Sequence, residues 1–316
     1  MKFVFLMDPL EAVKFEKDTS LMLMLGAKRR GHSLYFLPQG GIFLKEGQVY
    51  FKVTPVVPQS FKKKPFVLDS PLVLSELEVD AVFVRTDPPF DEQYLLDTWL
   101  LDRLPARVAV INHPGGIRTV NEKLWAIQFT SLVPPTLVTR QREKILGFLK
   151  KYTEVIVKPT DSFGGSSIFY IKKGDKNTHV ILETLTRQFK RYIIAQKYIP
   201  AAKKGDKRIL LLNGEPLGVL LRVHAPDDHR NNFFAGGHPE KAVITARDKK
   251  IISVLKPHLQ KLGLYFVGID IIGDYLIEVN VTSPTCLQEM NRLYNQRLEE
   301  KVIEFAERLV KSLKRK

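Results

Sequence analysis

From Val267 to Cys286 the chain reads VGIDIIGDYLIEVNVTSPTC, two alternating runs about a Gly-Asp pair, and this pattern points to a β-hairpin. With Gly273, Asp274 and Tyr275 as a three-residue connection, Gly takes the strained turn position. Asp270 then stands opposite Glu278, and Gly268 opposite Asn280. Side chains alternate faces along a strand, so Asp270, Glu278 and Asn280 share one face. Val267, Ile269, Ile271, Ile277, Val279 and Val281 form the other, which is fit for burial. Two carboxylates and an amide oxygen suit a hard cation, above all Mg²⁺ that also holds phosphates. A connection of two or four residues would put the carboxylates on opposite faces, leaving an ordinary hairpin with a solvated acidic edge.

A chain of 316 residues is long enough for roughly two domains and a sizeable core. No apolar run approaches the ~20 residues needed to span a bilayer, so no membrane partner is expected. The opening MKFVFLMDP reads as a first strand and not as a secretory signal. The single Cys286 excludes an intramolecular disulfide, and a cytoplasmic location is expected. The net charge of +15 would serve nucleic acid, a membrane surface or anionic small substrates. Its lysines and arginines are scattered, apart from clusters at Lys62 to Lys64, Lys203 to Arg208 and Lys311 to Lys316. Neither zinc-finger spacing nor an aromatic-basic RNA signature accompanies them, so nucleic acid is not an expected partner. No His pair has metal spacing, and a zinc site is not expected.

Upstream of the hairpin, strands and helices alternate. KFVFLM is a strand; Asp18-Thr19-Ser20 caps a helix running to Arg30 with Gly31 as its stop signal. SLYFLP is a strand, and GIFLKEGQVYFKV a hairpin turning at Glu46-Gly47. AVFVR is a strand ending at Arg85, followed by the turn segment TDPPFD, a helix from about Glu92 to Leu104, and the strand ARVAVIN. This order argues for a doubly wound, mostly parallel sheet, whose ligands lie beyond the carboxyl ends of the strands. Asp8, Arg85 and Asn112 fall there, although turn chemistry near proline accounts better for Asp8 and Asn112. NEKLWAIQF starts a helix near Asn121; PTLVTR is a strand and REKILGFLKKY a helix. EVIVKPTDSFGGSSIFYIK follows as strand, Gly-rich loop, strand, unlike phosphate loops that open a helix. Its backbone N–H groups could cover phosphates, with Lys158 as a point charge, yet alone the glycines read better as a plain hairpin turn. Cys286 has no His near it in sequence and reads as structural.

The order of the pieces says more than any one of them. Lys123, Lys158 with its Gly loop, AQKYIPAAKKGDKR and the acidic hairpin resemble the ATP-grasp fold, and more narrowly the bacterial glutathione synthetase family. The resemblance runs through MDP, DTS, RTDPPFD, NEKL, KPTDSFGGSSIF, ILETLT, GDKRILLLNGEP, AGG, GLYFVGIDIIGD and EVNVTSPTC, nearly the whole chain. It implies an α/β protein: a Rossmann-like N-terminal domain over 1–120, then an ATP-grasp domain of two α+β subdomains over 121–316. The lid subdomain would cover about 121–195 and a lid loop about 223–239. The implied activity is ATP- and Mg²⁺-dependent ligation of γ-glutamylcysteine to glycine, with Mn²⁺ as an alternative metal. A related ligase adding another amino acid to a peptide or protein remains open, and a homo-oligomer, a tetramer, is implied.

The same resemblance implies residue roles. Lys123 and Lys158 contact phosphates, and Gly164, Gly165 and Ser166 form the mobile loop over them. Gln196, Lys197, Tyr198 and Ile199 form the linker that reads adenine, and Asp206 faces the ribose. Asp270, Glu278 and Asn280 hold the metal; Arg208 and Arg222 are the catalytic cations. Arg85, Arg222, Arg230, Asn232 and Ser283 bind the anionic dipeptide. The chain departs from the family pattern at His238, where an Arg is more usual, at His113, where a Lys is common, and after Cys286, where Phe-Pro is missing.

Overall fold

The apolar strands of the first third pair in parallel. Lys2–Leu6 lies between Ser33–Leu37 and Ala81–Val84, and Ala109–Ile111 extends the sheet beyond Ala81–Val84. The computed structural model describes every residue except Lys62, Phe163, 224–235 and Lys316. Gln48–Pro58 turns antiparallel against Ser33–Leu37 and gathers Ile42–Lys45, Phe66–Leu68 and Leu72–Ser75 around it. The expected turn at Glu46-Gly47 is present, both residues at positive φ (53° and 82°), as a tight two-residue hairpin requires. Asp18 caps the Thr19–Arg29 helix by accepting the Leu21 N–H at 2.6 Å, and Asp91 caps Glu92–Leu101 through Tyr94 at 2.9 Å.

One expected helix does not form. Around NEKLWAIQF the chain makes only a 3-10 turn, Trp125–Gln128. The Asn121 side-chain oxygen, Oδ1, accepts the N–H groups of Lys123 and Leu124, which tightens the entry. The helix expected to reach Leu104 ends at Leu101, its last residues turning in i→i+3 bonds.

Two further antiparallel sheets complete the fold. A four-stranded sheet runs Phe169–Lys172, Glu154–Pro159, Ile193–Lys197, Thr136–Thr139. Helices Arg142–Tyr152 and Thr178–Leu185 pack on it around a small core that includes Ile145, Val157, Leu182 and Ile193. A five-stranded sheet runs His238–Glu240, Glu215–Val223, Asp206–Leu212, Phe266–Ile272, Tyr275–Asn280. Its buried face shares one continuous apolar cluster with the N-terminal sheet, from Val4, Leu6 and Val82 to Ile209, Val267 and Ile269. The Asn112 amide joins these two sheets. Its Nδ2 donates to the carbonyls of Phe266 (2.8 Å) and Val281 (2.7 Å), and its oxygen accepts the Phe266 N–H at 2.7 Å. Asn112 is thus structural, but through partners 154 and 169 positions away and not through the local turn chemistry expected near proline. No helix among the described residues is long and apolar enough to cross a membrane.

Candidate active site

A cleft of about 780 Å³ opens where the three sheets meet. The acidic hairpin forms one wall. Its turn has two residues, Gly273 (φ 57°) and Asp274, with Ile272 paired to Tyr275, so the expected three-residue connection is corrected. A two-residue turn alone would set Asp270 and Glu278 on opposite faces. A β-bulge restores them: Ile271 pairs with Leu276 and Asp270 with Glu278, leaving Ile277 as the extra residue. The bulge also exchanges two side chains relative to the sequence expectation. Leu276 is fully buried in the core, and Ile277, expected there, lines the cleft beside Glu278 and Asn280.

Behind the carboxylates lies a chain of buried charge. Arg208 donates through Nε and Nη2 to the two oxygens of Asp270, the Nη2 bond at 2.9 Å. Arg222 Nη2 also reaches Asp270, at 2.8 Å, and Arg222 grips Asp206 with two bonds of 2.6 Å. The pairing of strands dictates this order, since Arg208 stands opposite Asp270 and Arg222 opposite Asp206. Burial works against ionising Asp270, but the two guanidinium groups overcome it and hold its carboxyl well below the ordinary range. For Asp206, burial prevails over Arg222 and pushes the carboxyl up.

Two lysines face the acids from the opposite side. Lys123 Nζ donates to Glu278 at 2.9 Å and to the Ser162 carbonyl at the start of the Gly loop. Burial disfavours its charge, but Glu278 more than compensates, and its pKa is raised. Lys158 is 5 % exposed, and Gln196 Oε1, at 3.5 Å, is its hydrogen-bond partner among the described residues. Burial lowers it to about 8, with Glu278 opposing and Lys123 reinforcing. Gln196 is itself fixed by Thr136, to whose hydroxyl it donates at 2.9 Å.

The donor set fits a hard divalent cation. Asp270 and Glu278 offer carboxylate oxygens, and Asn280 uses its amide N–H on the Gly268 carbonyl at 3.2 Å, which leaves its oxygen for a cation. No cluster of three or more His, Cys, Asp or Glu side chains with metal-holding geometry occurs among the described residues. Any metal here would therefore depend on the amide and on phosphate oxygens as well.

Most residues singled out from the sequence meet in this cleft. Arg85, Lys123, Lys158, Gly164, Gly165, Gln196, Lys197, Tyr198, Ile199, Asp206, Arg208, Arg222, Asp270, Glu278, Asn280 and Ser283 all line it. Ser166 lies exposed beside it, outside the lining. Arg230 and Asn232 fall outside the described residues, as does most of the anticipated lid loop. That segment's flanks form a ladder in which Val223 pairs with His238. Cys286 lines the cleft at a positive φ of 84°, and burial pushes its thiol up.

Sequence reasoning missed three acids. Glu122 Oε1 accepts the Val281 N–H (2.8 Å), the Thr282 N–H (3.1 Å) and the Thr282 hydroxyl (2.8 Å), fixing the chain just after the hairpin. Asp87 accepts from Ser283 Oγ, and Glu289 also lines the cleft. Only the position of Glu122 beside Lys123 hinted at its role.

The two halves of the chain match two descriptions of one family. Residues 1–118 match the prokaryotic glutathione synthetase N-terminal domain, and 122–295 match the prokaryotic glutathione synthetase ATP-grasp domain. The chain belongs to the prokaryotic glutathione synthetase family. It is 41% identical over 319 residues to the glutathione synthetase of Vibrio cholerae, covering 99% of each chain. The Pseudomonas aeruginosa enzyme is 40% identical over 300 residues, 94% of this chain and 95% of that one. That of Escherichia coli K12 is 40% identical over 294 residues, 92% of each. Among solved structures, D-cycloserine synthetase DcsG superposes with a TM-score of 0.67 at 14% identity, covering 97% of this chain and 99% of its own. The peptide macrocyclase MdnC of Microcystis aeruginosa gives 0.64 at 16%, over 98% and 100%. At such identities these neighbours bear on the glutathione synthetase fold alone.

Proposed function

We propose that the chain ligates γ-L-glutamyl-L-cysteine to glycine with ATP, through an acyl phosphate, releasing glutathione, ADP and phosphate. Membership of the glutathione synthetase family over both domains carries this reading, and the charge arrangement of the cleft supports it. It is an ATP-dependent carboxylate–amine ligase. A carboxylate at neutral pH is too poor an electrophile for an amine. Its oxygen therefore attacks the γ-phosphorus of ATP, and the bond to ADP breaks. The glycine amine then attacks the acyl carbon, loses a proton, and phosphate leaves. Both steps depend on positioning and on offsetting negative charge.

In this reading Lys123 and Lys158 hold phosphates, with the amides of Gly164, Gly165 and Ser166 over them. Gln196 to Ile199 receive adenine and Asp206 the ribose. Asp270, Glu278 and Asn280 would hold the divalent cation, Mg²⁺ or Mn²⁺, which when bound neutralises phosphate charge. Arg208 and Arg222 use Nε and Nη2 on the buried acids, and their remaining edges stabilise the oxyanion at the acyl carbon. Arg85 and Ser283, with Arg230 and Asn232, take the dipeptide. The division at 120/121, the lid assignments, a cytoplasmic location and a tetrameric assembly belong to the same proposal.

ADP release measured with ATP, Mg²⁺ and γ-glutamylcysteine, with and without glycine, tests it. Glycine-dependent release with glutathione as product is expected; release indifferent to both substrates defeats it. A pH effect follows from Lys158. Its ammonium is at about 8 in the protein alone. A bound polyphosphate favours the charged form, so binding above that pH takes up a proton. ATP affinity is expected to fall as pH rises through about 8, by up to about tenfold per pH unit. Calorimetry in buffers of different ionisation enthalpy checks the proton uptake. Flat affinity from pH 7 to about 9 would show that Lys158 does not meet the phosphates.

A further inference from the structure

Two oppositely charged groups that line the cleft are buried with hydrogen-bonding capacity unused. Arg85 is 5 % exposed and Glu289 4 %, and both line the cleft. Arg85 Nη1 and Glu289 Oε2 take no hydrogen bond among the described residues. The same two segments hold both groups. Arg85 donates through Nε to Ser20 Oγ (3.0 Å) and through Nη2 to the Pro284 carbonyl (3.1 Å). Glu289 follows Gln288, whose amide donates to the carbonyls of Phe15 (2.8 Å) and Asp18 (2.9 Å). Nearby Asp8, Asp18 and Asp87 each already accept a protein donor, from Asp87 N–H, Leu21 N–H and Ser283 Oγ. Of these acids Glu289 is the one with a buried oxygen that takes no hydrogen bond among the described residues.

A buried, unmatched guanidinium N–H and a buried, unmatched carboxylate oxygen are each costly, and native structures keep them for a reason. Together they complement a group bearing both a carboxylate and an ammonium, the head of an α-amino acid. Resting on the ligase reading above, we propose that Glu289 determines specificity by receiving the α-ammonium of the γ-glutamyl head, with Arg85 Nη1 on its α-carboxylate. Glycine carries the same two groups, and chemistry separates the two sources. A carboxylate partner holds an amine protonated. That suits the γ-glutamyl amine, which stays intact, and would disable glycine, whose amine must attack. Burial pushes the Glu289 carboxyl up, its own N–H, Arg292 and Lys17 offsetting in part, so an arriving cation strengthens its ionised form.

The test measures kcat/KM for γ-glutamylcysteine and for its des-amino analogue glutaryl-cysteine, in the wild-type chain and in Glu289→Gln. The wild type should favour the dipeptide by about tenfold to a hundredfold, the range of one charge-assisted hydrogen bond. Glu289→Gln should lose that factor through KM for the dipeptide, while glutaryl-cysteine and the KM for glycine change by less than about twofold. Glutaryl-cysteine turnover doubles as the check on folding. Equal losses on both dipeptides, or a rise confined to the glycine KM, overturn the assignment. So does a wild type indifferent to the amine, which needs no variant. A wild type that forms no glutathione defeats the ligase reading itself, whereas normal synthesis with unchanged discrimination defeats the Glu289 assignment alone.

Discussion

Replacing Glu278 by Gln is expected to reduce turnover by about 10²–10³-fold or more while the protein remains folded. The side chain keeps its size, and at 21% exposure of the Glu278 side chain the site tolerates an amide without a core defect. What disappears is the negative charge. That charge pairs with Lys123 at 2.9 Å and, in the proposed site, completes the cation's ligands with Asp270 and Asn280. Charge placed where phosphate charge develops supplies catalysis that binding elsewhere does not replace. Steady-state ADP release across a Mg²⁺ titration, with thermal unfolding as control, checks this. A near-normal rate at saturating Mg²⁺ would contradict the metal assignment.

The second large effect is on stability. Arg222→Met should destabilise the fold by about 3–5 kcal/mol, the usual cost of removing one partner from a buried ion pair. Arg222 is 6 % exposed and stands between Asp206 and Asp270. Its loss leaves two carboxylates in one buried place with Arg208 as the remaining cation on Asp270. Adding Asp206→Asn to the variant should recover part of the loss, since it removes one uncompensated charge. Urea unfolding of the single and double variants provides the comparison. A single-variant loss below about 1 kcal/mol would mean that these charges do not hold the strands together.

The sequence revealed elements whose signal is local. Asp18 announces its helix because a capping carboxylate needs only the next three residues, and alternation marks the strands. The Asp270–Glu278 pairing was readable, but by the wrong route. A three-residue turn and a two-residue turn with a bulge give the same partners, and only the second sends Ile277 to the cleft. A bulge is decided by packing of Leu276 against the core, and no residue type marks it. Glu122, Asp87 and Glu289 escaped notice for another reason. Glu122 meets Val281 across 159 positions, and Ser283 meets Asp87 across 196. Spacing along the chain carries no trace of such encounters. The family resemblance supplied what pattern alone did not, namely the expectation that Lys123 and Lys158 belong to one site, and both line the same cleft.

Asn112 has a mechanical consequence. By bonding three backbone groups of Phe266 and Val281, it rivets the N-terminal sheet to the strands bearing the acids, and a shared apolar interior backs that rivet. The four-stranded unit has its own separate interior, so swinging it disturbs far less packing than shearing the base. Under the proposed function, a hinge that admits nucleotide would carry Lys158 and the glycine loop toward the base that bears Asp270, Glu278 and Asn280.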